Sequence, residues 1–187
     1  MTPPGPDPYL DPSSGVMRNR LAITDARELS RSEAALTASR LVDLERRRLP
    51  GHYDLAHLRD FHRYIFADVY DWAGQLRTVS IAKGGERLAT ADWLRGLPRA
   101  RFIGLLAEFL GDINALHPVR EGNGRTQRAF FSQLAHDAGH HIDWVRMVPE
   151  ENDAASIAAH RGDIEPLRAM LDRLVDLPHP SGPIGSS

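Results

Sequence analysis

The sequence predicts a mainly α-helical, compact single domain with one short β-hairpin. Apolar residues recur at three- and four-residue spacings over most of the middle of the chain, which is the period of a helix buried on one face. One short segment alternates in polarity instead, as a strand does. At 187 residues, without an internal repeat or a long linker, the chain is long enough to bury its own core.

Amphipathic segments account for the helical part of this prediction. Their apolar stripes, which we interpret as core, run through residues 31–47, 55–69, 100–116, 130–134 and 164–174. Residues 78–82 alternate, and the turn residues 83–85 follow, which predicts a hairpin between helices. Because an isolated two-stranded hairpin is only marginally stable, it indicates a lid or a docking edge, with a plain connector as the alternative.

The ends of the chain differ from its middle. Residues 1–16 are predicted to be an irregular N-terminal arm, residues 17–176 the domain, and residues 177–187 a flexible tail. The arm lacks the basic-then-apolar order of a secretory signal, and no apolar run approaches the length of a membrane span. We therefore expect no membrane partner.

Composition excludes several classes of function. The absence of cysteine rules out disulfides, thiolate zinc sites and cysteine nucleophiles, and it fits a reducing, cytoplasmic location. The net charge of −2 argues against a general nucleic-acid binder, which would carry a strongly basic face, so we expect no direct nucleic-acid partner.

The most informative stretch is residues 117–128, HPVREGNGRTQR. His117 ends an apolar-periodic helix and precedes a proline, so its ring should lie at the helix exit, where it could act as a general base. Glu121 supplies a carboxylate, the ligand type that Mg²⁺ prefers beside substrate phosphates. Each residue alone also fits an ordinary role, the histidine as a helix cap and the glutamate as a surface charge.

The second half of this stretch favours an anion site. Gly122 and Gly124, on either side of Asn123, let the backbone approach an anion closely at the start of a helix. Arg125 and Arg128 are three residues apart and share one face of the first helical turn, where guanidinium groups can bind phosphate oxygens in pairs. The order of base, carboxylate, glycine turn and paired arginines predicts a site for a metal-bound nucleotide phosphate.

The stretch resembles the Fic family motif HxFx[D/E]GNGRxxR at every fixed position except Val119, where the family carries phenylalanine. Such a match arises by chance about once in 10⁹ windows. Residues 62–85, HRYIFADVYDWAGQLRTVSIAKGG, are similar to the helix, turn and flap hairpin of Fic domains. The opening resembles the N-terminal arm of stand-alone bacterial Fic toxins, and residues 160–167 resemble the start of the family's closing helix.

The resemblance implies a Fic-type helical bundle that transfers AMP from ATP to a Ser, Thr or Tyr hydroxyl of a protein and releases pyrophosphate. It implies that His117 deprotonates the hydroxyl and that Glu121 binds Mg²⁺. It assigns the remaining motif residues to the nucleotide: the backbone of Gly122, Asn123 and Gly124 and the Asn123 side chain cradle the phosphates, Arg125 holds the β-phosphate and Arg128 the γ-phosphate. Lys83 and Gly84 would cover the nucleotide from the hairpin.

The same hairpin would pair with the target protein by strand addition. The expected docking residues are Ile81, Ala82, Lys83, Gly84, Gly85 and Leu88, the last near a position where relatives often carry phenylalanine. Targets suggested by the resemblance are the ATPase subunits of DNA gyrase and topoisomerase IV. Val119 fills less space than the family's phenylalanine, so we expect a looser motif loop and a slower enzyme.

Regulation is predicted from a second pattern. Many Fic enzymes are inhibited by a helix with the pattern [S/T]xxxE[G/N], whose glutamate pairs with the second motif arginine. In this sequence glutamate precedes Gly or Asn only at Glu121 and Glu151, and His117 and Met147 stand four residues before them. Because neither is Ser or Thr, we expect a separate small helical antitoxin to supply the glutamate for Arg128.

Three alternatives remain at this point. A Doc-like Fic phosphotransferase would carry lysine where Gly124 stands, and a non-catalytic nucleotide-binding Fic module would keep the fold without turnover. A zinc hydrolase would use His136, His140 and His141, but this segment lacks the glutamate of HExxH.

Overall fold

The computed structural model describes residues 7–76 and 94–176. The predicted hairpin, with all of its expected docking residues, lies outside the described residues, and so does the tail from residue 177. The helices are α1 (Ala26–Arg46), α2 (Leu55–Phe66), α3 (Arg99–Leu116), α4 (Asn123–Asp137), α5 (Pro149–His160) and α6 (Glu165–Leu174). The prediction of a mainly α protein is confirmed.

Two features of the described chain were not predicted from its pattern. The strands β1 (His141–Ile142) and β2 (Val175–Asp176) pair antiparallel, and two-residue strands are too short to show alternation. Helix α5 was missed because Ala155 is its only buried residue, so it has no apolar stripe. Its first turn nevertheless has the residues typical of a helix start, Pro149 followed by acidic side chains that interact favourably with the helix dipole.

Short-range capping determines where the first two helices begin. The Asp25 side chain accepts a hydrogen bond from the Glu28 N–H at the start of α1, at 2.8 Å. Asp54 does the same for the His57 N–H at the start of α2, also at 2.8 Å. Such caps satisfy N–H groups that have no acceptor within the helix, and each stabilises its helix by about 1 kcal/mol.

Helix α2 is buried on both sides and organises the core. One side packs on α4, where Phe61 and Phe130 meet edge to face with ring centroids 5.7 Å apart. Phe109 of α3 joins the same aromatic cluster, and α5 and α6 cover α3 from outside. The other side of α2 packs on α1 and on the turn after α2, through a second buried cluster around Phe66 and Trp72.

The N-terminal arm is folded onto this second cluster from residue 7 onward. Tyr9 is buried and packs edge to face on Trp72, with ring centroids 5.4 Å apart. Leu10 forms an isolated β-bridge with Met17, so this part of the predicted irregular arm has defined structure. Of the helices described, none is long and apolar enough to cross a membrane.

Candidate active site

The motif residues meet in one cavity of about 290 Å³ between the end of α3 and the start of α4. It is lined by His117, Arg120, Glu121, Gly122, Asn123, Gly124, Arg125 and Arg128. All the candidate catalytic, metal-binding and phosphate-binding residues between 117 and 128 therefore line the same space. Lys83 and Gly84, expected over the nucleotide, are outside the described part of the chain.

His117 occupies the exit of α3, as its sequence position predicts. It is the C-cap residue, its N–H donates to the Ile113 carbonyl at 2.9 Å, and its backbone is left-handed at φ 42° and ψ 62°. A residue with a Cβ adopts that conformation only at a cost of about 1–2 kcal/mol. At this turn His117 lines the cavity.

Gly122 brings the motif loop against α2. Its φ of +79° favours glycine, and an added Cβ would lie 2.2 Å from Cζ of Phe66. Its N–H donates to Oε1 of Glu121 at 3.0 Å, which holds that carboxylate at the cavity. The other carboxylate oxygen accepts no hydrogen bond from the described residues. It can therefore serve as a ligand to Mg²⁺, with phosphate oxygens and water completing the coordination shell.

Asn123 has a structural task that the sequence analysis did not assign. Its Oδ1 accepts from the Val119 N–H at 3.1 Å, and its Nδ2 donates to the Val119 carbonyl at 2.8 Å. The Asn123 side chain thus closes the loop, and its backbone N–H remains for an anion. Val119 is buried despite being smaller than the family's phenylalanine, so the loop is still anchored at this position.

Arg125 is turned toward α1. Its guanidinium forms an ion pair with Glu33 and donates to Oγ1 of Thr37 at 3.0 Å. Its Cζ also lies 4.7 Å from the ring centroid of Phe66, within the range of a cation–π contact. The β-phosphate role implied by the resemblance therefore competes with three protein contacts, which hold this side chain at the edge of the cavity.

Arg128 is the arginine available to a ligand. It is half-buried, and no acceptor within residues 7–76 and 94–176 bonds to its guanidinium. Burial and the nearby positive charge of Arg125 lower its pKa, because both disfavour the charged form. An anion in the cavity would relieve this unfavourable environment. The N–H groups of residues 123–125, at the start of α4, have no acceptor among the described residues. An anion in the cavity would supply one.

Sequence reasoning missed four residues that support the motif: Asp7, Glu33, Thr37 and His62. Asp7 of the arm binds Arg120 at 2.8 Å. His62 is buried and lies 3.0 Å from the Glu121 carbonyl oxygen, and burial lowers its pKa to about 4, so the ring is neutral. For Glu33, Thr37 and His62 the sequence signal was a polar residue on an otherwise apolar helix face, which does not reveal its partner. Asp7 lies in the arm and gave no such signal.

The histidines considered for zinc do not form a metal site. His140 is buried and its ring stacks on Phe102 with centroids 4.0 Å apart, whereas His136 contacts Arg48 at 2.6 Å. Across the two described ranges, no group of three or more His, Asp or Glu side chains is placed to hold a metal ion.

Comparison with known proteins decides the family. The Fic/DOC family model matches residues 52–135. A relative from Escherichia coli, named "Probable protein adenylyltransferase Fic", is 36% identical over 188 residues, covering 91% of this chain and 93% of its own length. This chain belongs to the Fic/DOC family. The resemblance drawn from the motif is therefore confirmed.

Two further Fic proteins extend the comparison. "Protein adenylyltransferase VbhT" of Bartonella schoenbuchensis is 40% identical over 184 residues, and the match covers 89% of this chain but only 38% of VbhT. The N-terminal Fic domain of a Bartonella quintana effector, solved with bound ADP, is 27% identical with a TM-score of 0.79. That likeness covers 92% of this chain and 96% of the other, which confirms the predicted Fic-type helical fold.

Proposed function

We propose that this Fic protein is a Mg²⁺-dependent protein adenylyltransferase, which moves AMP from ATP to a hydroxyl side chain of a target protein. The observation that carries the proposal is the grouping of His117, Glu121 and the half-buried Arg128 around one cavity. Curated relatives with the name protein adenylyltransferase support the reaction, and the ADP bound to the Bartonella quintana Fic domain supports the nucleotide.

The start of α4 would bind the triphosphate. Arg128 has no described acceptor, so a bidentate contact to the γ-phosphate would satisfy its donors. The N–H groups of residues 123–125 would bind the phosphates nearer the adenosine, helped by the positive end of the helix dipole. Arg125 would add positive charge at the cavity edge while remaining paired with Glu33.

Glu121 would hold Mg²⁺ through the carboxylate oxygen that the Gly122 N–H leaves free. Bound there, the ion would neutralise charge on the phosphates. His62 bonds to the Glu121 carbonyl, and the Gly122 turn follows directly, so the carboxylate would need little rearrangement.

His117 would act as the general base. In its neutral form the imidazole would accept the proton of the target hydroxyl while the hydroxyl oxygen forms a bond to the α-phosphorus. The bond from the α-phosphorus to the oxygen bridging to the β-phosphate breaks, and pyrophosphate leaves. General-base catalysis of this kind contributes about 10²–10⁴-fold to the rate, and most of the remainder comes from positioning and charge.

Labelled ATP tests the reaction directly. The purified protein, Mg²⁺ and bacterial lysate should give a labelled band with α-labelled ATP and none with γ-labelled ATP. A Doc-like phosphotransferase would give the reverse pattern, and a non-catalytic binding module would give neither. His117→Ala should abolish the band, whereas His160→Ala, at the exposed end of α5, should leave it unchanged.

The leading targets are the ATPase subunits of DNA gyrase and topoisomerase IV. This choice rests on the likeness to stand-alone bacterial Fic toxins, and each purified subunit can replace the lysate in the same assay. A label on either subunit that requires His117 would support it. Labelled lysate bands together with unlabelled subunits would exclude both subunits and direct the search to the labelled proteins.

A separate helical antitoxin is our proposal for regulation. Beside Arg128 lies a groove of about 760 Å³ between α1, α4 and the segment after β1, with apolar side chains such as Leu41, Leu44 and Trp144. An amphipathic helix could bury its apolar face there and present a glutamate to Arg128. A synthetic helix with the [S/T]xxxE[G/N] pattern should compete with ATP, and the same peptide with Gln for Glu should not. Equal competition by both would exclude a glutamate–Arg128 pair.

A further inference from the structure

His62 lies on α2, behind the motif loop and away from any solvent. Its side chain is fully buried, and its ring stacks on Phe66 with centroids 4.8 Å apart. The Trp72 ring also stacks on it, with centroids 5.9 Å apart and an angle of 23° between the ring planes. The rings therefore fix the plane of the imidazole, and the directions in which its nitrogens can bond follow from that plane.

The hydrogen bonds of His62 define its tautomer. The Gly74 N–H lies 2.7 Å from Nδ1 and can only donate, so Nδ1 is the unprotonated nitrogen. Nε2 then carries the hydrogen and donates it to the Glu121 carbonyl oxygen at 3.0 Å. One neutral ring thus joins the turn after α2 to the motif loop, and both of its nitrogens are used.

The peptide group that His62 holds is central to the candidate site. The Glu121 carbonyl belongs to the same peptide unit as the Gly122 N–H, which donates to the Glu121 carboxylate. The Gly122 carbonyl in turn accepts from the N–H and Oγ1 of Thr126, at 3.0 and 2.9 Å, in the first turn of α4. A rotation of this peptide unit would move the carboxylate and the first N–H groups of α4 together.

We propose that His62 is a positioning residue for the motif loop, which it holds by the hydrogen bond from Nε2 to the Glu121 carbonyl. It touches neither nucleotide nor metal, and it acts by fixing the orientation of the 121–122 peptide. What this loop binds rests on the proposed function, but the positioning itself concerns only the protein's own backbone.

The chain contains a matched control for this proposal. His57 lies on the same helix and is also buried; its Nδ1 accepts from the Tyr53 N–H at 3.1 Å and its Nε2 contacts the Leu49 carbonyl at 2.9 Å. It therefore makes the same pair of backbone bonds, but to the loop before α2 instead of the motif. Substitutions of His57 should therefore lower the stability of the fold without changing the motif loop or its binding of ATP.

Two substitutions separate the two bonds of His62. In His62→Asn the amide oxygen can still accept near the position of Nδ1, but no donor reaches Glu121. In His62→Gln the longer side chain can place its amide nitrogen near Nε2 and keep that donor. We expect His62→Asn to raise the Kd for ATP with Mg²⁺ about tenfold, and His62→Gln to raise it less than about threefold.

The experiment combines calorimetric titration of ATP with nuclear magnetic resonance of the ¹⁵N-labelled protein. The Gly122 amide resonance should shift in His62→Asn and stay near its wild-type position in His57→Asn, whose Kd should be unchanged even where its Tm falls. An unshifted Gly122 resonance in His62→Asn, or equal Kd values for the Asn variants at 57 and 62, would overturn the proposal. A wild-type protein that binds no ATP, with Gly122 still shifted in His62→Asn, would refute the proposed function and leave the positioning role supported.

Discussion

Glu33 of α1 forms an ion pair with Arg125 of α4, and the same carboxylate accepts a hydrogen bond from the hydroxyl of Tyr70. The side chain of Glu33 is only 12% exposed, so the pair is largely shielded from water. One carboxylate thus connects the first helix, the turn after α2 and the motif helix. The motif helix is thus bonded to a residue far outside the motif.

Replacing Glu33 with Gln should lower the free energy of unfolding by about 2 kcal/mol, because Arg125 would keep its charge without the carboxylate that offsets it. Urea unfolding at neutral pH measures this change. Asp60→Asn is the control: the Asp60–Arg63 pair is about half exposed, so its loss should cost less than about 1 kcal/mol. Equal losses in the two variants would show that the Glu33–Arg125 pair is no stronger than a surface pair.

Replacing Arg128 with Ala should weaken ATP binding by about 10–100-fold, since charge-assisted hydrogen bonds contribute about 1.5–3 kcal/mol. Arg128→Lys should recover part of the affinity, because lysine keeps the charge but not the paired donors. Calorimetric titration in the presence of Mg²⁺ checks this. Arg27→Ala removes an exposed charge on α1 and should leave Kd unchanged. Full binding by Arg128→Ala would place the triphosphate elsewhere.

Replacing Gly122 with Ala should destabilise the fold by more than about 2 kcal/mol and also weaken ATP binding. The new Cβ would overlap the ring of Phe66, at 2.2 Å from Cζ, in addition to the strain at φ +79°. Gly162→Ala isolates the strain, because Gly162 has φ +94° with no atom within 4 Å of the added Cβ. That control should cost about 1 kcal/mol in thermal unfolding. Similar costs at both positions would mean that Phe66 moves aside.

Acid should destabilise the protein partly through His57. Burial lowers the pKa of His57 below its usual 6.5, and the nearby His52 lowers it further. The negative charges of Asp54 and Asp60 raise the pKa but do not cancel this lowering. Below pH 6.5 the unfolded chain therefore binds more protons at this site than the folded one, so stability falls as the pH falls from 6.5 toward the lowered pKa.

His57→Gln removes this titration. Its free energy of unfolding should decline less between pH 6.5 and pH 5 than that of the wild type, even though the variant starts from a lower value. Urea titrations at several pH values measure the two slopes. Parallel curves would show that His57 has the same pKa in the folded and unfolded states.

The helices that could be predicted from the sequence are those with an apolar stripe. The stripe of residues 100–116 corresponds closely to α3, because Phe102 and Phe109 face a buried cluster that imposes the helical period on the sequence. The start of α1 at Ala26 instead of residue 31 is set by the Asp25 cap, and its first turn contributes Leu29 alone to the core. Helix α5 has no such stripe and became visible only in the structure.

The twelve residues 117–128 were enough to predict the family and a phosphate-binding site, because a helix exit, a glycine turn and a helix start need only neighbours in sequence to bring their groups together. Only the tertiary structure decided which motif groups are available to a ligand. Arg125 is engaged by a glutamate 92 residues away, and the Glu121 carbonyl by a histidine 59 residues away. Contacts at such separations form when helices pack, and no local pattern of polarity specifies which buried partners will meet.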